Sequence, residues 1–249
     1  MFEKLGYFQA SGLFSTEHTV SVLICFALVI IATYLTFETS ESKQKLIFNI
    51  IKYVLTVTII AELVVDIVIK NHNAESLIPL NFTLLFVVAL WFINLKNKSI
   101  SNIAKVLVAY LGLGFGGLTL IFTVPSFTNY PVFHIKCMFA VVNYSAMLYC
   151  GLALISNNKV KINIKSFKIA LFMVADFVVD CLILNAIFGT NFLALFSPNG
   201  LNIEWLNSLW LSAGGVYSLV MVAMLFACVV LAYVVGKLIV YLIKKYNQQ

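Results

Sequence analysis

A chain of 249 residues with 62% apolar residues, 10% charged residues and a mean hydropathy of +1.01 carries more apolar surface than a water-soluble core can hide; soluble domains hold about 25% charged residues. Lipid is therefore the solvent for most of the chain, and its length fits a single transmembrane domain over 1–249 rather than several domains. The formal charge of +6 rests on 16 basic residues, all of them lysine, and without the planar fork of arginine sequence-specific DNA reading is not expected, so nucleic acid is not among the expected partners.

A membrane-crossing helix needs about 20 mostly apolar residues. Seven stretches approach this: 19–37, 46–69, 78–95, 106–124, 132–155, 167–189 and 211–243. The expected fold is thus an all-α, multi-pass bundle in the cell membrane. The first stretch has no basic segment close before it and no small-residue cleavage site, so it reads as a retained span rather than a signal peptide. Ser15 stands before it as a helix N-cap, with Glu17 at the positive helix end. In the second, Glu62 and Asp66 are one turn apart on one face. Pro79 opens the third, followed by Asn81 and Thr83. Gly112 and Gly116 give the fourth a pair of small residues suited to close helix packing. His134, Lys136 and Asn143 lie in the fifth, and Asp176, Asp180 and Asn185 in the sixth. The seventh is longer than a bilayer needs, and Gly214–Gly215 marks a place where it could break.

Loop lysines set the orientation. Twelve of them fall after spans one, three, five and seven or, as Lys168 and Lys237, at the adjoining helix ends, against Lys4 and Lys70 on the other side. By the positive-inside rule the N-terminus is outside and the C-terminus cytoplasmic, which requires an odd number of spans. Spans two and six then run outward. Glu62, Asp66 and Asp180 come to lie in their outer halves, with Asp176 near the middle and His18, Asn81, Thr83, His134 and Lys136 near the outer ends of their own spans.

An ionisable side chain in hydrocarbon costs about 2.5–3.5 kcal/mol on insertion scales, so such groups face the bundle interior and a partner. The polar residues together predict an outward-facing intramembrane pocket lined by Glu62, Asp66, Asn81, Lys136, Asn143, Asp176, Asp180 and Asn185. Its acidic balance suits a small cationic or zwitterionic solute, or a lipid headgroup. The same carboxylates also admit a plain structural role, paired with Lys136 or with helix backbones; His18 and His134 likewise admit capping. The five cysteines all fall within apolar runs and contain no C-x-x-C, so they read as small buried residues. No metal-binding spacing of the H-E-x-x-H kind occurs, and neither a metal nor another cofactor is expected.

Several local patterns then fall together. Leu13-Phe14-Ser15-Thr16-Glu17-His18 resembles the L-F-S-x-x-H opening of the YwaF family of bacterial membrane proteins, and Glu62 stands where that family has a glutamate. Ile78-Pro79-Leu80-Asn81-Phe82-Thr83 resembles its L-P-L-H-L-C motif. Gly114, Gly116, Gly117 and Pro125 resemble its Gly-rich span, Tyr130-Pro131 its F-P step, and Gly189-Thr190-Asn191-Phe192 its G-T-N-Y, with Pro198 in the loop beyond. That family is related to the eukaryotic transmembrane protein 164 group, and the resemblance implies a lipid acyltransferase with a membrane-embedded cysteine nucleophile activated by histidine. Here the motif cysteine is Thr83, its histidine is Asn81, and Asn143 occupies the place of the histidine in span five. Asn cannot serve as a general base near neutral pH, and a Thr hydroxyl needs one.

Three functions follow as expectations. The first is a binding or transport protein that has kept the pocket without the Cys/His chemistry. The second is a membrane lipid acyl hydrolase or acyltransferase with Thr83 as nucleophile, aided by His18 or His134. The third is a non-catalytic scaffold subunit of a membrane complex. Membrane lipids are the expected partners in all three.

Overall fold

The computed structural model describes residues 12, 14–37, 39–68, 78, 80–122, 129–198, 203–246 and 248. The expectations that rest on Lys4, Leu13, Lys70, Pro79 and Pro125 lie outside these residues, as do the last residues of the second and fourth expected spans. Among the described residues there are seven helices and no strand: α1 (Thr16–Thr36), α2 (Glu41–Val68), α3 (Phe82–Phe92), α4 (Lys98–Phe122), α5 (Ile135–Ser156), α6 (Ile164–Phe188) and α7 (Glu204–Tyr246). A short 3-10 turn, Phe192–Ala194, lies between α6 and α7.

Five of these helices, α1, α4, α5, α6 and α7, are long and apolar enough to cross a membrane. Helix α2 is 28 residues long but carries Lys52, Glu62 and Asp66 along its length. The third expected span is corrected. Helix α3 has 11 residues, about 16 Å at 1.5 Å per residue, which is roughly half the hydrocarbon thickness. Its start is set by Asn81, whose side chain accepts from the Leu84 N–H at 3.0 Å, so Leu80 and Asn81 stay outside the helix. Helix α4 in turn starts earlier than the expected 106. Asn97 caps it by accepting from Ser99 N and Ile100 N at 3.0 and 3.3 Å. Helix α7 likewise begins at Glu204 rather than 211, with an acidic side chain in the first turn where the helix dipole favours it.

Helix α4 forms the centre of the bundle. Its apolar window is 72% buried, against 11% for α1. The backbone opens into a π turn over Gly112–Gly116, and the missing side chains there let two other helices touch it. A Cβ on Gly112 would strike the Met147 carbonyl oxygen of α5 and sit 2.9 Å from the Gly151 Cα. A Cβ on Gly114 would lie 2.5 Å from the Cys228 carbonyl oxygen of α7, and one on Gly116 would lie 2.9 Å from Leu148 N. Close backbone approach of this kind supplies dispersion contacts that the hydrophobic effect cannot supply between helices already in lipid. The outer sides of α1, α6 and α7 expose large apolar residues such as Leu23, Leu28, Phe172, Ile187 and Leu219, as lipid contact requires.

Helix α7 runs over 43 residues and leaves helical geometry at Ala213 (φ −159°, ψ 72°), next to the Gly214–Gly215 pair where the sequence places a break. The bend is free of crowding: a Cβ on Gly215 would meet nothing within 4 Å.

This difference in surroundings gives a matched test. Gly112→Ala should lower stability by about 1–3 kcal/mol, the usual cost of forcing an extra methyl into a filled interface, whereas Gly215→Ala should leave it within about 0.5 kcal/mol. Thermal unfolding of both variants in the same detergent checks the pair.

Candidate functional site

The polar residues of α2 meet those of α5. Asn143, buried on α5, donates from Nδ2 to Glu62 Oε1 at 3.2 Å and accepts at Oδ1 from the Thr58 hydroxyl at 2.6 Å. One turn further along α2, Asp66 is buried and forms a hydrogen-bonded ion pair with Lys136. The ring of Tyr130 lies 5.9 Å from the Lys136 ammonium and stacks on His134 at 4.1 Å between centroids. Tyr144, the residue after Asn143, lies near Glu62 and near Thr83 in the first turn of α3. Thr83 itself is buried. The result is a polar seam in which hydrogen bonds join Thr58, Asn143 and Glu62, with Asp66–Lys136 beside it and Tyr144 and Thr83 nearby. Two carboxylates and one ammonium give the seam a formal charge of −1.

Helical phase explains which acids enter the seam. On α2 the buried stripe runs through Phe48, Leu55, Ile59 and Asp66, and Glu62 lies one turn before Asp66 beside it. On α6 the buried stripe is Ala170, Val174, Val178, Cys181 and Asn185. Asp176 and Asp180 each follow a stripe residue by two positions, about 200° around the helix, and both are exposed on the outer side with Phe172 and Val179. The expectation that Asp176 and Asp180 line the pocket is therefore corrected: they do not join the seam of α2, α3 and α5.

Three other expected site residues hold local structure. Ser15 accepts from His18 N at 3.2 Å, and His18 Nδ1 accepts from Phe14 N at 3.1 Å. The two form a reciprocal cap that fixes the entry to α1, with Phe14 in the left-handed region at φ 59°. His134 N-caps α5 by accepting from Lys136 N at 3.3 Å, which also orients the helix turn that presents Lys136 to Asp66. Asn81 caps α3.

Asn185 is 1% exposed and works as a latch. Its Oδ1 accepts from Phe192 N at 2.7 Å and from the Thr190 hydroxyl at 3.0 Å, while its Nδ2 donates to Phe192 O at 3.1 Å. Leu193 and Ala194 follow at φ 59° and 53°, a conformation that costs a side-chain-bearing residue about 1–2 kcal/mol. It is held by Asn185 on one side and by the Tyr217 hydroxyl, which donates to Ala194 O at 2.7 Å, on the other. Thr58, Tyr130 and Tyr144 are the seam residues that sequence reasoning missed. Thr58 stands one turn before Glu62 and Tyr144 one residue after Asn143, so the spacing to residues already singled out was the available signal. Among the described residues no group of three His, Cys, Asp or Glu side chains gathers around a point that would hold a metal.

A bundle of long apolar helices with large apolar side chains on its outer sides and a polar seam between three of its helices defines a polytopic membrane protein of α-helical type. The TMEM164 family model matches residues 13–234, and the chain belongs to that family. No match was found among curated proteins or solved structures.

Two outcomes test the site's construction. Lys136→Met strands the buried Asp66 carboxylate and should cost about 3–5 kcal/mol, with much of the loss recovered in the Asp66→Asn, Lys136→Met double variant; thermal unfolding measures both. Asn185→Ala should speed amide hydrogen exchange across 189–197 by at least about tenfold while α5 keeps its protection.

Proposed function

We propose that this is a multi-pass protein of the cell membrane, N-terminus outside and C-terminus cytoplasmic, whose seam between α2, α3 and α5 binds or carries a small cationic or zwitterionic solute or a lipid headgroup. The observation that carries this reading is the charge balance of the seam: Glu62 and Asp66 stand one turn apart on α2 and share one lysine, Lys136. Glu62 is left with neutral hydrogen-bond partners, so an added cation or ammonium group lowers the cost of keeping it in a low-dielectric setting. The Asp66–Lys136 pair offers both signs at once to a zwitterion. Asn81 and Asn143 stand in place of the histidines that the related group would use, and both are committed to hydrogen bonds that build structure. This supports a seam that binds without the Cys/His chemistry.

A second reading has its own support. Thr83 is buried near Tyr144, and Tyr144 lies near Glu62. A hydroxyl, a phenol and a carboxylate set near one another are the groups by which a proton leaves a nucleophile, as an acyl hydrolase or acyltransferase requires. His18 and His134 both serve as capping residues.

Calorimetric titration of the detergent-purified chain with choline, betaine and phosphocholine separates the readings. Saturable binding of at least one of them, weakened by about tenfold or more in Glu62→Gln, is the expected result. Absence of binding by all three, or a Glu62→Gln variant that binds as the parent does, contradicts it. The acyl-transfer reading instead predicts a covalent adduct on Thr83 after treatment with a lipid-like fluorophosphonate, read by peptide mass spectrometry, and fails if Thr83 stays unlabelled while active-site serine controls react.

A further inference from the structure

The end of the bundle opposite the seam is a lysine rim. Three contacts join the α5–α6 turn to α2 and α7: the Gln44 amide of α2 donates to Asn157 Oδ1 beyond α5 at 3.0 Å, Lys159 lies 3.9 Å from Glu41, and Gly236 of α7 sits against Ile162. Lys159, Lys161, Lys165 and Lys168 follow one another across the α5–α6 turn and the first turns of α6, all exposed. Lys96 and Lys98 stand exposed at the start of α4. Neither α4 nor α6 has an acidic residue in its first turn. Lysines occupy those turns instead, against the preference of the positive end of a helix dipole for negative charge.

Apolar side chains are set among these lysines. Ile164 is exposed between Lys161 and Lys165, and Ile100 and Ile103 are exposed on the first turns of α4 beside Lys98. A soluble acidic partner would match the charge and leave the isoleucines unexplained. A membrane interface uses both: apolar side chains sink to the acyl boundary while lysines reach up to phosphate.

We infer that this rim is a binding surface for anionic phospholipid headgroups of the adjacent leaflet, with Lys159, Lys161, Lys165 and Lys168 as its core. Bound lipid phosphates supply the negative charge that the starts of α4 and α6 lack, so anionic lipid stabilises the folded bundle as well as recruiting to it. The surface is independent of the ligand bound at the seam.

The full chain reconstituted in nanodiscs of pure phosphatidylcholine, or of phosphatidylcholine with phosphatidylglycerol, provides the test. Native mass spectrometry of co-purified lipid and thermal unfolding are the readouts. The expected result is retention of phosphatidylglycerol over phosphatidylcholine, a higher unfolding temperature in the anionic discs, and loss of both effects in high salt. The exposed-site variant K159Q/K161Q/K165Q/K168Q should unfold as the parent does in phosphatidylcholine, and its preference for phosphatidylglycerol should fall by about tenfold or more. Soluble glycerol phosphate should not reproduce the stabilisation. Equal behaviour of the parent in the two disc types, a full preference kept by the variant, or the same stabilisation by glycerol phosphate would each overturn the inference. Should the quadruple variant fail to fold, K165Q/K168Q with the parent comparison still decides it.

Discussion

An ion pair buried against a lipid-facing surface sets the terms for the rest of the molecule. Asp66 and Lys136 each cost several kcal/mol to remove from water, and they are tolerable because α2 and α5 hold them against one another. That requirement fixes the rotation of both helices. Once Asp66 faces α5, Glu62 and Thr58 on the preceding turns of α2 come to the same interface, where Asn143 bridges them. His134, at the head of α5, sets the turn on which Lys136 stands. The polar seam is thus one connected construction rather than a collection of separate charged residues.

The seam needs a rigid wall behind it, and α4 supplies one. Glycines at 112, 114 and 116 let its π turn touch the backbones of α5 and α7. Helices packed at backbone distance have little freedom to rotate, so α5 presents Asn143 and Lys136 in fixed directions. The Asn185 latch does the same at the end of α6, holding a strained turn that Tyr217 of α7 also grips. Polar side chains that a sequence reader takes for ligands are here often the means by which helix ends and turns are satisfied inside a low-dielectric solvent, where an unmade hydrogen bond is expensive.

Much of this was legible in the residues. The helical order, the Ser15 cap, the close packing at Gly112 and Gly116 and the interruption beside Gly214 all follow from local chemistry that lipid does not alter. The failures share one cause. In a membrane both sides of a helix are apolar, so hydropathy carries no phase, and nothing in α6 read by hydropathy alone tells that Asp176 and Asp180 face outward. The hint lay in the small residues Ala170, Val174, Val178 and Cys181, which mark the packed side. The short α3 was missed for a related reason: apolar residues before Phe82 extend the hydropathy run, but Asn81 takes the cap and ends the helix there. The capping role that the sequence left open for His18 uses the Phe14 backbone N–H, a partner with no signature in composition.

The packing of α2 on α5 can be tested without any ligand. In a variant whose five native cysteines are replaced by serine, Thr58→Cys and Asn143→Cys are introduced together and mild oxidant is added to native membranes. Efficient intramolecular disulfide formation is the predicted result, with no crosslink when Asp176→Cys replaces Thr58→Cys as the partner of Asn143→Cys. A chain that links the second pair and leaves the first reduced would contradict the seam and the function built on it.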